Sequence, residues 1–155
     1  MGRTEMTAMN QDGGMPRIMV VDDDLDTVNV LAHYLRREGF SPVEANSGAE
    51  CLKIVTESAV DVILLDLMMP EMDGFEVCRA LKGNPVTAEI PIIMITARDD
   101  IDARSEGMRL GVSDFLAKPV FRKQLGNRIR AQLDVLATGR ATMAALDRFE
   151  INGKH

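Results

Sequence analysis

The sequence predicts a doubly wound α/β domain, a five-stranded parallel sheet with five helices packed on its two faces. Three observations predict it. Short, almost wholly apolar runs recur along the chain, as buried parallel strands require. Each run is followed by a segment whose apolar residues fall three and four apart, the spacing of a helix with one buried side. A polar residue closes most of the runs. Strand–helix alternation with right-handed crossovers distributes helices over both faces of one sheet.

Each element follows from its own residues. Residues 1–16 carry four methionines, Asn10, Gln11, Gly13 and Gly14 without periodicity and read as a flexible leader. Arg17 to Val21 forms the first strand and ends in Asp22-Asp23-Asp24. Val28, Leu31, Ala32 and Leu35 mark the first helix, with Gly39 as its stop. Ser41 to Ala45 is the second strand, and Ser47 to Glu57 the second helix, capped by Ser47. Val60 to Leu65 is the third strand and ends at Asp66. Asp73 to Lys82 is a helix with Phe75, Val77, Cys78 and Leu81 on its apolar side. Ile90 to Ile95 is the fourth strand, ending at Thr96, and a helix follows from about Asp99 to Leu110. Val112 to Leu116 is the fifth strand, followed by Lys118-Pro119. The last helix starts near Phe121 and carries Leu125, Ile129, Leu133 and Leu136. Met143, Leu146 and Phe149 prolong the spacing past Gly139, so residues 139–155 form a helical or disordered tail, a candidate linker to an output domain.

Composition narrows the function classes. The 155 residues hold 18 Lys+Arg against 24 Asp+Glu, a net charge of −6, with 46% hydrophobic residues. That length fits one domain able to bury a core. The acidic balance argues against a broad nucleic-acid-binding surface. No apolar run approaches the roughly 20 residues of a membrane span. Cys51 and Cys78 are too few for a disulfide framework and read as small buried hydrophobes in a reducing compartment. His33 has no partner at ligand spacing. Arg122, Lys123, Arg128 and Arg130 against Asp134 read as a solvated face of the last helix, or as part of a partner surface.

In an open parallel sheet, chemistry gathers outside the carboxyl ends of the strands. Strand 1 brings Asp22, Asp23 and Asp24 there, strand 3 Asp66, strand 4 Thr96 and strand 5 Lys118. Strand 2 brings only Asn46 and Ser47, which suits an edge strand. Clustered carboxylates without His or Cys favour a hard, oxygen-seeking cation, and Mg²⁺ fits a shallow site that keeps several waters. Asp is a competent nucleophile for an acyl-phosphate intermediate. A cation beside Asp66, with Thr96 and Lys118 on the phosphoryl oxygens, would neutralise the charge of an incoming phosphoryl group.

Five pieces in order then resemble the response-regulator receiver domains of two-component signalling. They are Val20-Val21-Asp22-Asp23, Leu64-Leu65-Asp66-Leu67-Met68-Met69-Pro70, Met72-Asp73-Gly74, Ile95-Thr96-Ala97 and Lys118-Pro119. The intervals suit that family: 43 residues from Asp23 to Asp66, 30 to Thr96, 22 to Lys118. The resemblance implies a flavodoxin-like sheet of order 2-1-3-4-5, with residues 17–138 as the receiver. It implies Asp66 as phosphoacceptor, with Mg²⁺ held by Asp22, Asp23, Asp66 and the Met68 carbonyl. Thr96 would move toward the phosphoryl group, Lys118 would pair with it, and Phe115 would be the aromatic that swings inward as Thr96 moves. A cis Lys118-Pro119 bond is part of the same expectation. The partners implied are a sensor histidine kinase or phosphotransfer protein, and a second copy through the fourth helix, fifth strand and fifth helix. No membrane and no nucleic acid contact by this domain is implied, and the location would be cytoplasmic. Met68 and Arg98 occupy positions that vary in the family.

Competing readings are weaker. Asp22 to Asp26 spells the start of a calcium loop, but Thr27 and His33 stand where that loop needs Gly and Glu. Asp24 and Asp26 read as acids at a helix N-terminus. An aspartate-nucleophile phosphatase would need Thr where Asp26 stands. An interaction module without phosphorylation, or the input piece of a nucleotide cyclase or hybrid kinase, remain as alternatives.

Overall fold

The computed structural model describes residues 14–98 and 100–153, with side chains described through residue 139. Five strands, β1 (Arg17–Val21), β2 (Ser41–Ala45), β3 (Val62–Leu65), β4 (Ile92–Thr96) and β5 (Asp114–Ala117), form one parallel sheet. Their order is β2-β1-β3-β4-β5, so β1 pairs with β2 on one side and with β3 on the other. Five helices alternate with them: α1 (Leu25–Arg37), α2 (Gly48–Glu57), α3 (Gly74–Lys82), α4 (Ile101–Arg109) and α5 (Arg122–Gly153). This is the doubly wound, flavodoxin-like arrangement that the sequence predicts.

Strand alternation splits the core in two. Met19, Val21, Ile63, Leu65, Ile92 and Met94 point to one face, where Cys51 and Val55 of α2 and Val77, Cys78 and Leu81 of α3 cover them. Ile18, Val20, Val62, Leu64, Ile93 and Ile95 point to the other, against Val28, Leu31 and Leu35 of α1 and Leu125 and Ile129 of α5. Adjacent residues thus serve opposite cores, which is why these strands are apolar throughout. Both cysteines are free and buried. Burial pushes the Cys51 thiol up to about 12, which leaves it inert.

Helix ends follow local chemistry. Ser47 caps α2 by accepting from the Glu50 amide (3.0 Å). Asp73 and Glu76 form a reciprocal capping box at α3. Gly39, at φ 92°, ends α1 with Phe40 N donating to Leu35 O and Gly39 N to Arg36 O, a Schellman motif. Gly111, at φ 98°, ends α4 in the same way, Val112 N donating to Gly107 O and Gly111 N to Met108 O.

Four boundaries depart from the sequence reading. Pro91 has no N–H for the ladder, so β4 begins at Ile92 rather than Ile90. The Val112 amide is spent on the α4 cap, so β5 begins at Asp114. Val60 and Asp61 lead into β3 without belonging to it, the Asp61 carboxylate accepting from the Arg17 amide (2.7 Å). Asp100 caps α4 by accepting from Ala103 N (2.7 Å), which places the helix start at Ile101. The expected start at Asp99 lies outside the described residues, as do residues 1–13 of the leader.

The basic residues of α5 are not a free solvated face. Arg122 and Arg130 both donate to Glu38 at the end of α1, and Arg128 grips Asp114 at the start of β5 through two 2.7 Å contacts. Lys123 remains on the exposed side. The helix continues through Gly139 to Gly153. Among the described residues, no helix is long and apolar enough to cross a membrane.

Candidate functional site

The carboxyl ends of β1, β3, β4 and β5 bring Asp22, Asp66, Thr96 and Lys118 onto one rim, as the strand-end argument predicts. Asp22 and Asp66 are buried and Thr96 is fully so, whereas Asp23 is exposed. β1 is an inner strand beside the central β3, and its register puts Val21 beside Leu65, so the residues after both strands emerge side by side. Carboxylate oxygens of Asp22, Asp23 and Asp66 lie within 4.8 Å of one another.

Lys118 reaches back across this cluster. Its ammonium lies 3.0 Å from Asp22 Oδ2 and 3.5 Å from Asp66 Oδ2. The Lys118-Pro119 bond is cis. Burial works against the charge on Lys118, but the hydrogen bond it donates to Asp22 and the charge of Asp66 outweigh it and raise its pKa. Burial raises the Asp66 pKa, the Asp22 charge adds to this, and Lys118, the Met68 amide and the Thr96 hydroxyl pull the other way. Three acids and one ammonium leave the cluster with excess negative charge. An all-oxygen donor set of that charge fits a hard divalent cation such as Mg²⁺.

Backbone contacts set the side chains. The Met68 amide donates to Asp66 Oδ1 (3.3 Å), and the Asp24 amide donates to Asp22 Oδ1 (2.9 Å). The Arg98 amide donates to the Thr96 hydroxyl (3.1 Å). Asp24 stands at the N-cap position of α1 without a cap bond; its carboxylate takes the Thr27 hydroxyl (2.6 Å) instead. The Asp24 amide serves the site by orienting Asp22, a use for which no residue-type signal exists in the sequence. The Asp66 loop passes close to α3: a Cβ on Gly74 would sit 2.6 Å from the Asp66 carbonyl oxygen. In the same loop Glu71 is left-handed at φ 68°, costing about 1 kcal/mol.

Phe115 is not on the rim. It lies under α4, buried, two residues along β5 from Ala117, which pairs with Thr96. Met68 is exposed and lines a groove of about 410 Å³ with Met69, Phe75 and Arg98. A second groove, of about 480 Å³, opens between α1 and the β5–α5 loop, lined by Val30, Tyr34, Lys118, Pro119 and Val120 among others. No sequence pattern pointed to either groove, since each joins segments distant in the chain.

A model of the response regulator receiver domain matches residues 18–130. Over 115 residues the chain is 44% identical to the response regulator PleD of Caulobacter vibrioides, covering 74% of this chain and 25% of that protein. It is 41% identical over 117 residues to the response regulator MprA of Mycobacterium leprae, covering 76% of this chain and 50% of that one. The chain therefore spans a quarter to a half of the length of these relatives. Among solved structures, the chemotaxis protein CheY4 of Vibrio cholerae superposes with a TM-score of 0.73 at 28% identity, over 76% of this chain and 98% of that one.

Proposed function

The chain belongs to the response regulator receiver domain family, and from that membership we propose that it accepts a phosphoryl group on Asp66 and relays it as a conformational signal. The observation that carries this reading is the pairing of buried Asp66 with the Lys118 ammonium at 3.5 Å, beside two further carboxylates. The donor is a phosphohistidine of a sensor kinase or phosphotransfer protein. One Asp66 oxygen attacks phosphorus as the P–N bond breaks, and the electron pair leaves on the imidazole nitrogen. The ionised carboxylate needs no general base.

Asp22, Asp23, Asp66 and the Met68 carbonyl would hold Mg²⁺, which when bound supplies positive charge to the phosphoryl oxygens. Lys118 shifts from the carboxylates to the new phosphoryl oxygens, which carry more charge. Thr96 moves to donate its hydroxyl to the same group, and Phe115, expected to swing inward but already buried under α4, repacks with it, altering the face made by α4, β5 and α5. That face serves a second copy or a downstream partner. The domain promotes its own phosphorylation and dephosphorylation, works in the cytoplasm, and makes no nucleic-acid contact itself. Residues 17–138 form the receiver, with the leader before and the α5 extension after it.

A second reading concerns context: the chain is the input piece of a longer regulator or enzyme. It is favoured by the short share of the relatives that it spans and by the run of α5 to Gly153, beyond the family match at residue 130.

The test is incubation of the chain with Mg²⁺ and a small acyl-phosphate donor, followed by intact-mass measurement. One added phosphoryl group is expected, not formed when the metal is chelated beforehand and absent from Asp66→Asn. No adduct, or equal labelling of Asp66→Asn, overturns the reading.

A further inference from the structure

The grip of α4 on the sheet differs from that of its neighbours. α1 buries Val28, Leu31 and Leu35, and α3 buries Val77, Cys78 and Leu81, whereas α4 buries only Ala103 and Gly107. A helix with so little apolar anchorage is held by what the sheet offers it. β5 offers Phe115. The ring is buried and faces Gly107 of α4, where an added Cβ would be in ordinary van der Waals contact with it at 3.4 Å. The Arg104 guanidinium of α4 sits over it, 5.0 Å from the ring centroid.

We propose that Arg104 is a latch: its cation over the Phe115 ring holds α4 on β5 and so governs how readily the ring and helix separate. A guanidinium over an aromatic face is attracted by the ring quadrupole. Of the ion pairs near α4, Arg79–Glu106 (3.5 Å) is solvent-facing and Arg109–Glu106 lies within the helix itself. Arg104 is a positioning residue that acts through Phe115 and touches no reacting atom. Its regulatory meaning rests on the reading of Phe115 as part of the switch; the physical contact does not.

The experiment is hydrogen exchange on the unphosphorylated full chain. Arg104→Gln keeps most of the stem and removes the charge, and should speed exchange of the α4 amides, residues 101–109, about two- to fivefold, leaving α1 and α3 unchanged. Arg104→Lys, which keeps a cation, should restore most of the protection. In a Phe115→Leu background the Arg104→Gln change should have no further effect, because the ring is gone. Unchanged α4 exchange in Arg104→Gln, or the same acceleration with and without the ring, overturns the latch. Failure of Asp66 to take up phosphate would instead overturn the function proposed above and leave this comparison intact.

Discussion

Gly74→Ala tests how closely helix α3 is seated on the reaction loop. Backbone entropy alone predicts that Gly→Ala stabilises by about 0.4–1 kcal/mol. The structure predicts the opposite sign. The added Cβ would lie 2.6 Å from the Asp66 carbonyl oxygen and 2.7 Å from Leu67 Cα, against the roughly 3.5–4.0 Å at which carbon atoms pack. Both neighbours are backbone, so no side chain can rotate away. The helix start must retreat from β3, straining the Gly74 N to Leu67 O hydrogen bond (2.9 Å). Overpacking of this kind costs about 1–3 kcal/mol, leaving a net loss of about 1–2 kcal/mol and a fall in Tm of about 2–8 °C. Asp66 moves with its carbonyl, so phosphoryl uptake should slow about tenfold or more. Thermal unfolding and the time course of aspartyl-phosphate formation read the two effects. Gly139→Ala is the control: nothing lies within 4 Å of a Cβ there, so it should add about 1 kcal/mol of local helix stability. A Gly74→Ala protein as stable as the parent, with unchanged uptake, would refute the packing argument.

Other perturbations have signs set by the same geometry. With metal chelated, Asp66→Asn should raise Tm at neutral pH, by about 2–4 °C per kcal/mol relieved. Burial and then the Asp22 charge raise the Asp66 pKa, so the folded state binds that proton more tightly than the unfolded chain. The ionised carboxylate is therefore a destabilising feature above that raised value, relieved as pH falls through it. Glu38 runs the other way: its hydrogen bond to Arg130, then the Arg130 and Arg122 charges, lower its pKa against the effect of burial. Its contribution is complete above the ordinary carboxylate value and is lost as pH falls through the lowered folded value. Glu38→Gln should thus weaken the fold near neutrality and flatten the acid limb of a stability–pH curve. Asp23→Asn removes an exposed carboxylate from the cluster and should weaken Mg²⁺ binding by calorimetry about tenfold or more, without lowering Tm.

The core and the rim were legible because both depend on local pattern. Unbroken apolar runs such as Val62 to Leu65 are readable as buried strands, and parallel topology then sends the residues after every strand to one edge. Asp22, Asp66, Thr96 and Lys118 could therefore be brought together without coordinates. Boundaries were less legible where one backbone group serves two purposes, as the Val112 amide does in the α4 cap.

By itself, then, the sequence determined the fold class, the strand-end polar set and the family it resembles, because periodicity and motif spacing are properties of neighbouring residues. Tertiary structure alone decided who pairs with whom. Lys118 lies nearer Asp22 than Asp66, Arg122 and Arg130 converge on Glu38, and Arg104 covers Phe115. The four contacts made by Lys118, Arg122 and Arg130 join residues 52 to 96 positions apart. A flexible charged side chain chooses its partner by distance and burial, and both exist only once the sheet has closed over its two cores.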